Sequence, residues 1–489
     1  MTKKYKPITI NKENSIWEMV IGLEVHAQIK TNLKLFSSGS TRFGLEANNN
    51  LDLLDFGLPG TLPVINACAV DQAIKTGLAI NAKINSKSIF DRKNYFYPDL
   101  PLGYQISQYK DPIVSEGFID IDLEDDTTKR IKIERLHLEQ DAGKSIHDQN
   151  PNETLIDFNR AGVALMEIVT YPDLRDWNEA GDFFSKLKNI LKFVDTCDGN
   201  MEQGSLRCDA NVSVKKPSDP LGTRCEIKNL NSIKNVMKAI EYEANRQIKL
   251  IESGKRITQE TRLYDANKNI TRSMRSKEEA HDYRYFPDPD LVPLIISQSR
   301  IEKIKKTLPE LPDQLKSRLK RQYNLGTYDA RVISADLQIA KYFEELSLNR
   351  EPKQAANWII TNLFGKLNES NKHISESPVN SESLGKLLDL INNGTISNKV
   401  AKDVFEEMFE SKKSAESIVE EKGLKQISNQ DELKDIIKSI LEKNPQQKKQ
   451  FLEGNMKIMG WFIGQVMKET RGQANPTKVN QIIKEILEK

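Results

Sequence analysis

Cysteine is scarce, with four in 489 residues. Cys68, Cys197, Cys208 and Cys225 include no Cys-x-x-Cys pair and have no histidine close in sequence, which argues against a zinc knuckle or a disulfide framework. Cys208 and Cys225 fall on the apolar side of alternating segments and are expected to pack as small hydrophobes. Long apolar runs are missing too, since no stretch of about 18 residues could cross a bilayer as a helix. The start, Met1-Thr2-Lys3-Lys4-Tyr5-Lys6-Pro7, lacks the apolar segment of a secretory signal, so a cytoplasmic protein without membrane attachment is expected. Excess charge is absent as well. With 72 basic and 70 acidic residues the net charge is +2, which excludes a uniformly basic nucleic-acid coat and leaves room for local basic patches.

Familiar catalytic signatures are also lacking. There is no His-Glu-x-x-His helix, no Gly-x-Ser-x-Gly elbow and no Gly-x-Gly-x-x-Gly turn. Asp141-Ala142-Gly143-Lys144-Ser145 looks like the end of a phosphate-binding loop. Such a loop needs a glycine where this chain has Leu138, so the backbone cannot curl around phosphates there.

What is present is enough chain for three or four domains. From about Trp17 to Ile296 short alternating strands are punctuated by Gly, Pro and Asn: Trp17 to Lys30, Lys129 to Glu139, Ala164 to Thr170, Leu206 to Val214 and Arg224 to Lys228. Helices are expected at Asp71 to Leu78, Asn178 to Val194 and about Ser232 to Glu252. Strands are not regularly followed by crossover helices, so the class is α+β with a largely antiparallel sheet. A boundary is expected near Pro293 to Ser299, beyond which the chain turns almost wholly helical. Helices run through Ile339 to Leu346, Ala355 to Leu367 and Leu384 to Asn392, and Ser397 caps the next. A last helical unit begins near Glu410 to Ser417 and ends with helices at Asn455 to Thr470 and after Asn475-Pro476. Gly460 and Gly464, one turn apart, suit close helix contact there. The domain scheme is 1–297, 298–410 and 411–489.

The chemistry-bearing residues lie on the strands. In Gly22 to Lys30, Leu23, Val25, Ala27 and Ile29 face one way while Glu24, His26, Gln28 and Lys30 face the other. Glu24 and His26 side by side suit a metal ion or a general base, or else form a solvated face. Arg135, His137 and Glu139 share a face, as do Arg207, Asp209, Asn211, Ser213 and Lys215, and again Arg224, Glu226 and Lys228. Glu167 is the sharpest signal, a carboxylate inside the otherwise apolar strand Leu165-Met166-Glu167-Ile168-Val169. It is costly to desolvate unless a cation or donor meets it, and an arginine of a neighbouring strand would serve as well as a metal. If these faces converge, Glu24, His26, Glu139, Glu167, Glu202, Asp209 and Glu226 form an acidic basin edged by Arg135, Arg207 and Arg224. That is the composition of a magnesium–nucleotide site. Tyr95-Phe96-Tyr97, beside Arg92 and Lys93, could stack a base or simply anchor a loop. Lys457, Lys468, Arg471 and Lys478, around Gly472-Gln473-Ala474-Asn475, could contact phosphates or form a solvated face.

Taken together, Gly22-Leu23-Glu24-Val25-His26, Phe90 through Asp99, Leu138 through Ser145, Gly204 through Asn211, Asp282 through Pro287 and Gly472 through Pro476 closely resemble the B subunit of the tRNA-dependent amidotransferases, essentially end to end. The resemblance implies a cradle domain related in fold to glutamine synthetase, a helical domain, and a tail similar to the YqeY family that contacts tRNA. It implies ATP-dependent phosphorylation of the side-chain carboxylate of Glu-tRNA(Gln) or Asp-tRNA(Asn), then displacement of phosphate by ammonia. By match to family positions, Glu24, His26, Glu139 and Glu167 would hold catalytic magnesium, and Glu202, Asp209 and Glu226 a second cation. Arg207 is assigned to the reacting centre, and Arg135, Arg224 and Lys228 to the nucleotide. Gln140 and Gln203 carry amides where relatives often have carboxylates. No glutaminase signature is present, so a glutaminase A subunit and a small C subunit are implied as partners. The alternatives are a non-catalytic tRNA-binding scaffold and a stand-alone ATP-dependent carboxylate-amine ligase.

Overall fold

The computed structural model describes residues 16–123, 127–146, 149, 152–274, 283–425, 430–452, 455, 457–470, 474 and 476–487. Two compact units divide the chain, residues 1–312 and 313–489.

In the first unit the elements follow in the order β1 (Glu18–Gln28), α1 (Ala67–Ala79), β2 (Lys83–Ile84), β3 (Lys87–Ser88), β4 (Asp91–Asn94), β5 (Tyr104–Ser107), β6 (Val114–Asp122), β7 (Thr128–Gln140), β8 (Lys144–Ile146), β9 (Leu155–Asp157) and β10 (Ala164–Thr170). Next come α2 (Trp177–Phe193), β11 (Leu206–Lys215), β12 (Cys225–Leu230), α3 (Ile233–Glu252), β13 (Thr261–Asp265), β14 (Ile270–Ser273), β15 (Phe286–Pro287), β16 (Leu294–Ile295) and α4 (Gln298–Lys305). Nine strands form one sheet in the order β14-β13-β12-β11-β1-β10-β7-β6-β2, antiparallel throughout except between β12 and β13. The expected α+β class with a mostly antiparallel sheet is what the chain adopts.

One face of the sheet is apolar and carries the helices. Leu23, Val25 and Ala27 of β1, Met166 and Ile168 of β10, Leu136 and Leu138 of β7 and Cys208, Ala210 and Val212 of β11 join Phe183, Phe184 and Leu187 of α2 and Ala239 and Ile240 of α3 in one buried core. Each helix starts where a polar side chain caps it: Asn66 for α1, Asp176 for α2 and Ser232 for α3. With the helices on one side, the polar residues of the same strands are turned to the other. A small sheet, β15-β4-β5, lies against part of that second face. Ser107 of β5 donates to Glu139, and Gln105 donates to the Gln140 carbonyl.

The first unit continues past the expected boundary near residue 297. Helix α4 packs its Ile301 and Ile304 into the core, and Arg300 binds Asp71 of α1 at 2.7 Å.

The second unit is helical: α5 (Pro312–Tyr323), α6 (Thr327–Ile333), α7 (Leu337–Leu346), α8 (Pro352–Trp358), a π-helical turn at Ile359–Leu363, α9 (Phe364–Glu369), α10 (Ser381–Asn392), α11 (Asn398–Ser411), α12 (Ala415–Glu421), α13 (Gln430–Lys443), α14 (Pro445–Leu452), α15 (Lys457–Glu469) and α16 (Pro476–Leu487). Gly394, at φ +75°, ends the turn after α10, and Ser397 caps α11 as expected. The interruption near Glu410 is short, and α12 packs back on α10 and α11. Leu433, Ile437, Phe462, Val466, Val479 and Ile483 share a separate core. Gly460 and Gly464 do not mediate the expected close helix contact. Both are exposed, and a Cβ on either would meet nothing among the described residues. The stripe of Ile458, Met459, Phe462 and Val466 makes the contact instead. Asp282, Arg471, Gly472, Gln473 and Asn475, named in the motifs above, lie outside the described residues.

Candidate metal centre

Strand β1 occupies the middle of the sheet because it pairs along its length with β11 and with β10. His26 lies opposite Glu167 of β10 and opposite Arg207 of β11, and Glu167 in turn lies opposite His137 of β7. Cross-strand neighbours on one face have close Cβ atoms, so His26, Glu167 and His137 form a row across three strands. Glu139 lies one step further along the same face of β7.

The His26 Nε2 atom is 3.6 Å from Glu167 and 3.7 Å from Glu139. His137 Nε2 is 3.1 Å from Glu167 and 3.5 Å from Glu139. Glu139 and Glu167 are only 3% and 9% exposed, so each carboxylate needs a partner charge. The imidazoles supply it. Burial alone would raise the Glu167 pKa, yet His137 and His26 hold it well below the usual carboxylate range. Glu139 is likewise held down against burial, chiefly by its hydrogen bond to His137. Burial alone would lower His137, but Glu167 and Glu139 push it up to about 9; His26 is raised by the same pair against burial.

Among the described residues, the set His26, Glu139 and Glu167 is the one grouped closely enough to share a cation, with one ligand atom from each within 4.8 Å of the others. Two buried carboxylates and an imidazole fit a hard divalent ion such as Mg²⁺ or Mn²⁺. The buried Nδ1 of His137 has no hydrogen-bond partner among the described residues, so this ring is oriented by the carboxylates alone.

The other expected site residues lie outside that set. Glu24 accepts from Asn211 at 2.8 Å and lies opposite Asp209; burial, with Glu167 and Glu226 nearby, raises its pKa. The Lys228 ammonium stands between Asp209 at 2.6 Å and Glu226 at 2.7 Å. A lysine therefore already neutralises the carboxylates expected to line a second cation site. Arg207 does not face the nucleotide side freely, because it is clamped on buried Asp141, with 2.9 Å contacts to both carboxylate oxygens. Gln28 also donates to Asp141. Glu202 lies on the exposed turn before β11, and Arg224, exposed before β12, helps to lower the pKa of Glu226. Arg135 binds Glu134 at 2.8 Å.

Three residues at the centre go beyond the site set expected from sequence: His137, Asp141 and Lys93. Lys93 belongs to β4 and sits 4.9 Å from the Tyr283 ring. Burial works against its charge, but Glu139, Tyr285 and Glu167 raise its pKa above the ordinary lysine value. His137 is visible on the Arg135–Glu139 face; Lys93 reaches the centre only because the small sheet folds over, which no local pattern encodes. Tyr95 packs edge-on to Tyr97 and Tyr283, whereas Phe96 is 88% exposed. The Gly143 amide donates to the Asp99 carbonyl, so that loop offers no phosphate cradle from this amide. Gln140 uses its amide oxygen to accept from the Ile106 N–H, bracing β5 over the centre.

A family described as the GatB/GatE catalytic domain matches residues 19–302, and one described as the GatB domain matches residues 341–487. A relative in Pelagibacter ubique, the B subunit of the aspartyl/glutamyl-tRNA(Asn/Gln) amidotransferase, is 54% identical over 493 residues, covering 100% of both chains. The corresponding B subunits of Rhodospirillum rubrum and Rickettsia conorii are 53% and 54% identical, covering 97% and 96% of this chain and 98% of each relative.

Proposed function

The chain belongs to the family of B subunits of the aspartyl/glutamyl-tRNA(Asn/Gln) amidotransferases, and from that premise we propose that His26, Glu139 and Glu167 form the centre at which a tRNA-linked carboxylate is activated. The substrate is Glu-tRNA(Gln), Asp-tRNA(Asn) or both. A side-chain carboxylate oxygen attacks the γ-phosphorus of ATP, the bond to the ADP oxygen breaks, and an acyl phosphate forms. Ammonia then attacks the acyl carbon, loses a proton, and phosphate leaves. Such chemistry needs positioning and charge neutralisation rather than a protein nucleophile.

A magnesium ion held by Glu139, Glu167 and His26, with Glu24 close by, would supply positive charge to the phosphate oxygens. This chain's own side chains do the rest. Lys93 brings a cation into the covered side of the centre, and the His137 ring keeps Glu167 and Glu139 ionised. Arg207 acts through Asp141 to hold the β1–β11 face, while Arg135, Arg224 and Lys228 are assigned to nucleotide phosphates. Lys228 must give up its present carboxylates if Glu202, Asp209 and Glu226 are to take a second cation. We further propose that the sheet unit is a glutamine synthetase-like cradle, that a helical domain follows it, and that the residues after about 410 form a YqeY-like, tRNA-contacting tail. A glutaminase A subunit and a small C subunit complete a cytoplasmic heterotrimer; no described helix is long and apolar enough to cross a membrane.

The observation that carries this reading is the meeting of two buried carboxylates and an imidazole on the face of the sheet turned away from the helices. Its test is amide formation on each mischarged tRNA by the complex reconstituted with its A and C partners. Product from free glutamate, ATP and ammonia without tRNA would refute it.

A further inference from the structure

One pairing in the large sheet differs from the others. Strands β12 and β13 run parallel, with Glu226 opposite Thr261, Ile227 opposite Arg262 and Lys228 opposite Leu263, and helix α3 is the crossover that joins them. Successive residues of β13 serve opposite faces of the sheet. On the polar face Thr261 donates to one oxygen of Glu226 at 2.8 Å, while the Lys228 ammonium holds the other at 2.7 Å. The Glu226 N–H also donates to the Glu260 carbonyl at 3.1 Å. The place of Glu226, and with it the stance of Lys228, is therefore set from β13.

Arg262, one residue on, turns to the helix-bearing face and is buried there against Glu243 of α3, a carboxylate with no exposed surface. The Arg262 Nε atom stands 3.2 Å from Glu243 and donates at 2.9 Å to Thr271 of β14, which itself donates to Glu243 at 2.8 Å. Arg246 donates to both Glu243 oxygens, at 2.9 and 2.6 Å. Gln247 donates to Glu243 at 2.9 Å and to the Val212 carbonyl of β11 at 3.0 Å. Burial would raise the Glu243 pKa, but Arg246 and Gln247 hold it below the usual carboxylate value. One buried carboxylate thus ties α3 to β11, β13 and β14.

Apolar side chains would hold a helix on a sheet as well as such a network does, without its desolvation cost. What the network adds is register. A slip of β13 by one residue would take Thr261 away from Glu226 and turn Arg262 to the polar face, leaving Glu243 buried without one of its cations.

We propose that Glu243 is a positioning residue for the reacting centre: from the opposite face of the sheet, acting through Arg262 and Thr261, it sets where Glu226 and Lys228 stand. The inference rests on the assignment of Lys228 to nucleotide phosphates above.

A double-mutant cycle in the full complex tests it, with affinity for a non-hydrolysable ATP analogue read by calorimetry in the presence of magnesium and affinity for charged tRNA read by filter binding. Glu243→Gln, which keeps the shape and removes the charge, and Thr261→Val are each expected to weaken the analogue by about tenfold with tRNA binding unchanged. Thr261→Ser retains affinity. The two changes together weaken the analogue no further than Glu243→Gln alone, because both break one chain of contacts. Effects that multiply would overturn the proposal, as would a Glu243→Gln protein that melts at lower temperature yet binds the analogue as before. Should Glu243→Gln fail to fold, Thr271→Val removes one donor from Glu243 and leaves its charge; it is expected to weaken the analogue, and unchanged affinity overturns the proposal. Lys228→Ala separates the inference from its premise. Unchanged analogue affinity in Lys228→Ala would refute the nucleotide role of Lys228 and the inference with it, whereas a loss in Lys228→Ala beside none in Glu243→Gln overturns the inference alone.

Discussion

Glu167 sits between two imidazoles, and its chemistry is set by them. It was legible as the one carboxylate in an apolar strand, and His26 was legible from the alternation of β1. Their shared register was not, because pairing between strands far apart in sequence leaves no local mark. His137 carries a testable consequence. Its pKa rises from 6.5 to about 9 on folding, so in chelator-treated protein its contribution is fully present below about pH 6.5 and fades as pH climbs through 9. We expect the metal-free protein to lose on the order of 3 kcal/mol of unfolding free energy across that window, measured by denaturant titration. His137→Gln should flatten the profile, and a flat profile in the unaltered protein would contradict the account. His26→Ala should slow ATP-dependent activation far more than it weakens tRNA binding, as read by single-turnover rates beside filter binding.

Strand β10 spans Ala164–Thr170, as its apolar run predicts, and β1, β11, α2 and α3 lie within a few residues of expectation. The period-two and 3.6-residue patterns are strong wherever one face is buried. Strand β7 carries a bulge against β10, where Val169 pairs with Arg135 but Thr170 with Ile133, and such a parity change within one strand resembles noise in the alternation. The small sheet over Glu139 leaves little mark in the sequence because its strands are short and gain definition from tertiary packing. Glu116 of β6, at φ +56°, offers a test at this scale. Its left-handed backbone predicts that Glu116→Gly is neutral or stabilising, whereas Glu116→Val costs about 1–2 kcal/mol, measured by chemical denaturation. Equal effects would mean that the bulge relaxes without cost.

At the scale of the whole chain, a sheet with helices on one face and charge on the other is followed by a wholly helical unit. Composition predicted that change, but it did not predict that α4 stays with the sheet, because Ile301 and Ile304 find their partners in α1 and its neighbours. Deleting residues after Glu410 should weaken affinity for charged tRNA while the first unit remains folded, and unchanged affinity would argue against a tRNA-contacting tail. The most direct measurement of the central claim is hydroxylamine trapping of the acyl phosphate, using the reconstituted complex with ATP and Glu-tRNA(Gln) but no ammonia donor. The account predicts a hydroxamate that requires both ATP and charged tRNA and is lost in Glu167→Gln, with tRNA binding retained. Hydroxamate formed at an undiminished rate by Glu167→Gln would contradict it.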